Sequence, residues 1–330
     1  MKLKKLQAML KLCRAHGSAG EQVFIKKYLS PQGAMPYVSP SGEVLAYVVF
    51  VGAGGGVLFS GHVDTMHRND APLHQEIVYD RQSGMIYKHP DDPLKMPLGA
   101  DNGAGCWLMM EMIDACVPGT YIFHRGEERG GVGSAGMATH HPDFLKRFKY
   151  AIAFDRRGTG NVITEMMVGR TCSDAFAQAL SDKLGLGYAP DNTGSFTDTA
   201  NYIRLIPECT NVSVGYDHEH GPSEVLDVVH LVALRGVLVR AFKEGTGDLP
   251  VVRGVDDVEA WDKWGGYRNY IDADAEFCLD PRDSSDVVGM GFKDLVKWVR
   301  MSSPEDVADL LLTMAEEMTY KDEMANQEEM

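Results

Sequence analysis

Four short apolar runs constrain this chain more than any other feature: Val57-Leu58-Phe59-Ser60, Thr120-Tyr121-Ile122-Phe123, Tyr150-Ala151-Ile152-Ala153-Phe154 and Asn211-Val212-Ser213-Val214. The first lacks polar alternation, as expected for a strand buried on both faces in a parallel or mixed sheet, and the run at Tyr150 repeats the pattern. A further strand is expected at Val44-Leu45-Ala46-Tyr47-Val48-Val49-Phe50-Val51. Helical spacing predicts helices over residues 2 to 14, onward to Tyr28 after the break at Gly17-Ser18-Ala19-Gly20-Glu21, and over Cys106 to Cys116, Ser173 to Leu184 and 223 to 243. A hairpin is expected between Gln75 to Tyr79 and Met85 to His89. Strands interleaved with helices at this length place the chain in the α/β class.

Each of the four runs ends, within a few residues, in a side chain able to bind a metal: His62, Glu127 or Glu128, Asp155, and His218 or His220. Open α/β sheets build their sites beyond the carboxyl ends of strands, so these residues are expected in one crevice. Asp101, at the start of the helix through Cys106, adds a fifth. Taken singly, each has an ordinary explanation. Asp101 reads as a helix cap, the Glu-Glu pair as a solvated acidic turn, and His124 as a strand residue. His16, His67, His74, His89, His140, His141 and His230 read as surface or packing residues, and Cys172 as inert. The adjacent glutamates sit in Gly126-Glu127-Glu128-Arg129-Gly130-Gly131. Adjacent side chains diverge, so one can hold a metal while its neighbour moves a proton of water. Two divalent ions bring four positive charges, and three carboxylates with one hydroxide balance them. Asp101, Glu128 and Asp155 are three.

Composition removes several alternatives. A net charge of -15 disfavours nucleic acid as a partner. Six scattered cysteines without a Cys-x-x-Cys pair suit a reducing compartment, so a cytoplasmic location is expected. No apolar stretch reaches the length of a signal peptide or membrane span, so no membrane partner is expected. Beyond Gly245 the chain turns acidic and loop-like, with Trp261, Trp264 and Tyr267 as anchors and helices expected at Phe292 to Arg300 and Val307 to Met318.

Ser60-Gly61-His62-Val63-Asp64-Thr65, Leu98-Gly99-Ala100-Asp101-Asn102-Gly103-Ala104-Gly105, Gly126-Glu127-Glu128 and Glu219-His220-Gly221-Pro222 together resemble the dinuclear zinc exopeptidase superfamily, in order and in local context, over roughly residues 5 to 243. Asn211-Val212-Ser213-Val214-Gly215-Tyr216 with the His220 context is closest to its aminopeptidase branches. The resemblance implies a mixed, mostly parallel sheet sandwiched between helices, in a catalytic domain expected over residues 1–244; the small acidic extension at 245–330, set apart by its composition, has no counterpart in the resemblance. It implies His62, Asp101, Glu128, Asp155 and His220 as ligands of two divalent ions, zinc first and cobalt or manganese as alternatives. Glu127 becomes the general base, Asp64 a partner behind His62, and His220 is preferred to His218. The chain departs from several relatives in lacking room between Asp155 and His220 for a large lid or dimerisation domain.

The expected activity is hydrolysis of a terminal peptide bond, first as an aminopeptidase acting on a short peptide or amino-acid amide, with homo-oligomers allowed. An N-acyl amino-acid deacylase or carboxypeptidase would use the same site. Arg156, Arg157 or Arg170 pointing inward would favour it, because a substrate carboxylate needs a cationic clamp. A phosphoesterase is disfavoured by the absence of an Asn-His-Asp/Glu ligand motif, and a binding protein on a peptidase fold by the presence of every expected ligand and the base.

Overall fold

The computed structural model describes residues 3–52, 56–89, 91–243 and 249–256. The helices expected beyond Phe292 and the anchors Trp261, Trp264 and Tyr267 lie outside the described residues. The strands are β1 (Met35–Val38), β2 (Val44–Val51), β3 (Val57–His62), β4 (Ile77–Asp80), β5 (Met85–Lys88), β6 (Gly119–His124), β7 (Tyr150–Arg156), β8 (Asn161–Ile163), β9 (Glu165–Met166), β10 (Gly169–Arg170), β11 (Ala189–Asp191), β12 (Glu208–Ser213), β13 (Tyr216–Asp217) and β14 (Val225–Asp227). The α-helices are α1 (Leu3–Leu10), α2 (Ala19–Phe24), α3 (Ala100–Asp114), α4 (Val132–His140), α5 (Pro142–Leu145), α6 (Asp174–Leu184) and α7 (Val228–Phe242).

Eight strands form one mixed sheet in the order β1-β2-β6-β3-β7-β12-β8-β11. Its centre, β6-β3-β7-β12, is parallel, while β1, β2 and the β12–β8 pairing are antiparallel. A smaller four-stranded sheet, β13-β14-β5-β4, contains the expected hairpin, two residues shorter at one end than the sequence suggested.

The lack of alternation in the central strands has a direct cause. Successive side chains point to opposite faces, and both faces are covered. Phe59, Tyr121, Phe123, Ile152 and Phe154 join α1, α3 and α7 in one core that includes Leu6, Leu10, Trp107, Leu231 and Phe242. Leu58, Ile122 and Ala151 point the other way, onto Met137, Phe144, Leu145 and Tyr202. Helices thus lie on both faces, and α3, buried along almost its whole length, runs against β3 and β7. Gly105 permits this approach, since a Cβ there would stand 2.0 Å from the Phe154 carbonyl oxygen.

Shorter or less patterned elements escape the sequence reading. Edge strand β1 is mostly exposed and contains Pro36, so it has weak strand character. Strands β8 and β11 have three residues each, too few to show a period. The predicted second helix changes geometry on the way to Tyr28, being α-helical to Phe24 and a π turn from Ile25 to Leu29.

Candidate active site

Four of the five candidate ligands follow directly from strand ends and one from a helix start. His62 is the last residue of β3 and Asp155 the penultimate residue of β7. Glu127 and Glu128 lie in a single 3₁₀ turn after β6, entered through Gly126 at φ 73°, a left-handed backbone that glycine adopts without strain. Asp101 opens α3, and His220 lies in the loop between β13 and β14.

Asp101 stands between two groups of donors. Its Oδ1 is 3.1 Å from His62 Nε2, and its Oδ2 is 3.2 Å from His220 Nε2. On the first side Asp155 Oδ1 is 3.3 Å from His62 Nε2, and on the second Glu128 Oε2 is 3.1 Å from His220 Nε2. His62, Asp101 and Glu128 each offer a ligand atom within 4.8 Å of the others. Glu127 Oε2 lies 3.9 Å from His62 Nε2. His218 makes no side-chain contact with these residues among the described interactions, its backbone N–H being taken by Asp217.

The donor set fits divalent cations. The Nδ1–H of His62 reaches the backbone carbonyl of Asp64 at 3.1 Å, which leaves the Nε2 lone pair aimed at two carboxylates. Lone pairs converging in this way need a cation between them. Burial opposes a charge on His62, but Asp155 and the acceptor oxygens of Asp101, Asp155 and Asp64 outweigh it and push His62 well above the ordinary histidine range. His220 is raised to about 11 by its bonds to Asp101 and Glu128. Burial and the charge of Asp101 raise Asp155 to about 6 and Glu128 to about 7, and one Glu128 oxygen is buried without a partner among the described residues. Burial, then Asp155 and Glu128, push Glu127 well above the usual carboxylate range against the pull of His62.

Asp64 does more than the sequence suggested. Its carboxylate, 3.6 Å from His62 Nδ1, accepts the backbone N–H groups of Gly126 (2.9 Å), Glu127 (3.3 Å) and Glu128 (3.2 Å). It therefore ties the glutamate turn to the end of β3. Three supporting residues were not legible at all. Glu224, buried, accepts the N–H of Gly99 (3.0 Å) and of Asp101 (2.9 Å). Arg14, fully buried, donates to the carbonyls of Met9, Val63 and Gly99. Thr197 donates to Asp155 Oδ2 at 2.8 Å, while Asn102 and Tyr216 reach Oδ1. No spacing signal marks them, because they meet the site through the fold. His124, read as a strand residue, is buried at the end of β6 with its Nδ1 3.1 Å from Asp198 and its Nε2 2.5 Å from the Tyr202 hydroxyl.

The cleft is lined by Asp101, Glu127, Asp155 and His220, by the apolar Ile163, Met166 and Phe196, and by Arg156, Arg157 and Glu219. Arg157 is paired with Glu219 at 3.1 Å. Arg170 is not a lining residue and pairs with Asp174 and Glu165.

The resemblance to the dinuclear zinc exopeptidase superfamily is borne out, and the model of peptidase family M28 matches residues 52–203. Among solved structures, the tripeptidase from Staphylococcus aureus is 13% identical with a TM-score of 0.59, covering 73% of this chain and 97% of its own. The aminopeptidase PepT from Bacillus cereus is 14% identical with a TM-score of 0.57, over the same shares. The TET1 peptidase of Pyrococcus horikoshii, which can assemble into a tetrahedron or a large octahedral shell, is 15% identical with a TM-score of 0.54, covering 74% of this chain and 100% of its own. At these identities the likeness is one of fold. No curated protein sequence matches the chain.

Proposed function

We propose that this chain is a metal-dependent aminopeptidase acting on short peptides, with His62, Asp101 and Asp155 holding one divalent ion and Asp101, Glu128 and His220 a second, zinc in both. The observation that carries the reading is the division of Asp101, one oxygen toward each histidine, with a further carboxylate on either side. Two such ions, when bound, lower the pKa of a water and polarise the scissile carbonyl. Glu127 takes the proton of the attacking water and returns it to the leaving amine, acting as general base and then general acid. Glu127 lines the same cleft as Asp101, Asp155 and His220, with its Oε2 3.9 Å from His62 Nε2. Asp64 keeps the base in register by holding the backbone of its turn. Glu219, next to His220, has one oxygen on Arg157 and the other buried without a partner among the described residues, which suits the ammonium of a free amino terminus.

A second reading, carboxypeptidase or deacylase, is favoured by one observation: Arg156 and Arg157 both line the cleft. Peptides with free and acetylated amino ends, given to metal-loaded protein, separate the two. The aminopeptidase reading expects cleavage of the free peptides alone, and it fails if only the blocked ones are cut. Metal analysis should find two ions per chain. A cytoplasmic location fits the cysteine usage, and no described helix is long and apolar enough to cross a membrane. The proposed catalytic domain ends near residue 244, and the reading allows a homo-oligomer.

A further inference from the structure

We propose that Arg156 recognises a carboxylate on the substrate, which makes short peptides with a free carboxyl end, or residues with an acidic side chain, the preferred class. This rests on the exopeptidase reading above. Arg156 closes β7 one residue after Asp155 and is among the residues that line the same cleft as Glu127 and Asp101. Neighbouring arginines are already matched: Arg157 by Glu219, Arg170 by Asp174 and Glu165, Arg125 by Glu21. Arg156 has no carboxylate within ion-pair distance among the described residues. Its Nη2 donates to the neutral hydroxyl of Thr193 at 3.0 Å, which is anchored in turn on Asp191 at 2.5 Å. Its Nε is buried without a hydrogen-bond partner.

The guanidinium is therefore held in place with part of its planar fork unused. A buried N–H left unpaired is unfavourable, and a carboxylate satisfies this fork better than any neutral acceptor. Ile163, Met166 and Phe196 add apolar surface to the same cleft. The carboxylates of the centre would be balanced by the two cations of the proposed site, which leaves this charge for the substrate. With Glu219 offered to an ammonium and Arg156 to a carboxylate, the cleft carries complementary groups for a zwitterion of limited length.

Two matched pairs of compounds locate the carboxylate: alanyl-alanine against its C-terminal amide, and glutamyl anilide against glutaminyl anilide. We expect zinc-loaded protein to favour the carboxylate member of one pair by about 10- to 100-fold in kcat/KM, the range for a hydrogen bond to a charged group. In Arg156→Gln that ratio should collapse toward one, and Arg156→Lys, with charge but no fork, should keep part of it. A helical circular dichroism spectrum like that of the parent shows that each variant is folded. Calorimetric binding of the same four compounds reads the ratios without turnover. Cleavage with no preference in either pair, or an unchanged ratio in Arg156→Gln, overturns this proposal and leaves the exopeptidase reading standing. Binding with an Arg156-dependent preference but no cleavage of any compound does the reverse.

Discussion

Two adjacent glutamates in one turn are assigned different work, and the contrast can be measured. In Glu127→Gln the side chain keeps its size and loses its capacity to take a proton. The backbone of the turn stays tied by the three N–H bonds to Asp64, none of which involves the Glu127 side chain. General-base catalysis is worth about 10²- to 10⁴-fold, or about 3 to 5 kcal/mol of barrier, so kcat should fall by that amount while both metals remain. Glu128→Ala removes the carboxylate that stands 3.1 Å from His220. It should lower occupancy at the His220 side of Asp101 and spare the His62 side, and added zinc should restore part of the activity. Metal content by plasma emission and initial rates on a free dipeptide read both effects. Equal metal loss in the two variants, or full activity in Glu127→Gln, would refute the division of roles.

Further outcomes follow from residues around the centre. Asp64→Ala leaves three backbone N–H groups of the glutamate turn without their acceptor, so it should lower Tm and cost about 3 kcal/mol or more of stability, read by urea unfolding. His67 is buried between Thr65 and Gln75, and burial lowers its pKa to about 4. Because the unfolded chain binds that proton more readily, the contribution of His67 is fully present above about pH 6.5 and is lost as pH falls toward 4. It amounts to at most about 3 kcal/mol, and His67→Asn should flatten stability over that window in pH-dependent unfolding. A chain ended at residue 256 should keep both metals. One ended at residue 244 should melt lower, since Glu208 then loses the N–H groups of Val252 and Arg253, and the carbonyls of Ile203 and Pro207 lose the Arg253 guanidinium.

The parts of this fold that were legible in the sequence share a physical cause. A strand between two helix layers must be apolar on both sides, so β3 and β7 announce themselves by composition alone, and the residue at the end of such a strand has nowhere to point except into the crevice. His62 and Asp155 are readable for that reason. Glu224 and Arg14 are not, because a buried charge is recognisable only through its partners, and theirs lie 123 and 49 residues away, at the Asp101 and Val63 backbones. Thr197 is hidden in the same way, 42 residues from Asp155. Asp64 was legible by its position two residues after His62, but the turn it binds is 62 residues away and only the parallel pairing of β3 with β6 brings it close.

That pairing links the two halves of the proposed centre. His62 lies opposite His124 in the β3–β6 register, so the chain leaving β6 must pass Asp64 before it reaches Glu127 and Glu128. One carboxylate collecting three successive N–H groups fixes the turn as a rigid unit, and both glutamates take their direction from it. A shift of this turn would move Glu127 and Glu128 together. Their separation is set by sequence adjacency, and their placement against His62 by Asp64. The proposed base and the proposed ligand can therefore take different directions from one turn, although the two glutamates differ by a single position in the chain.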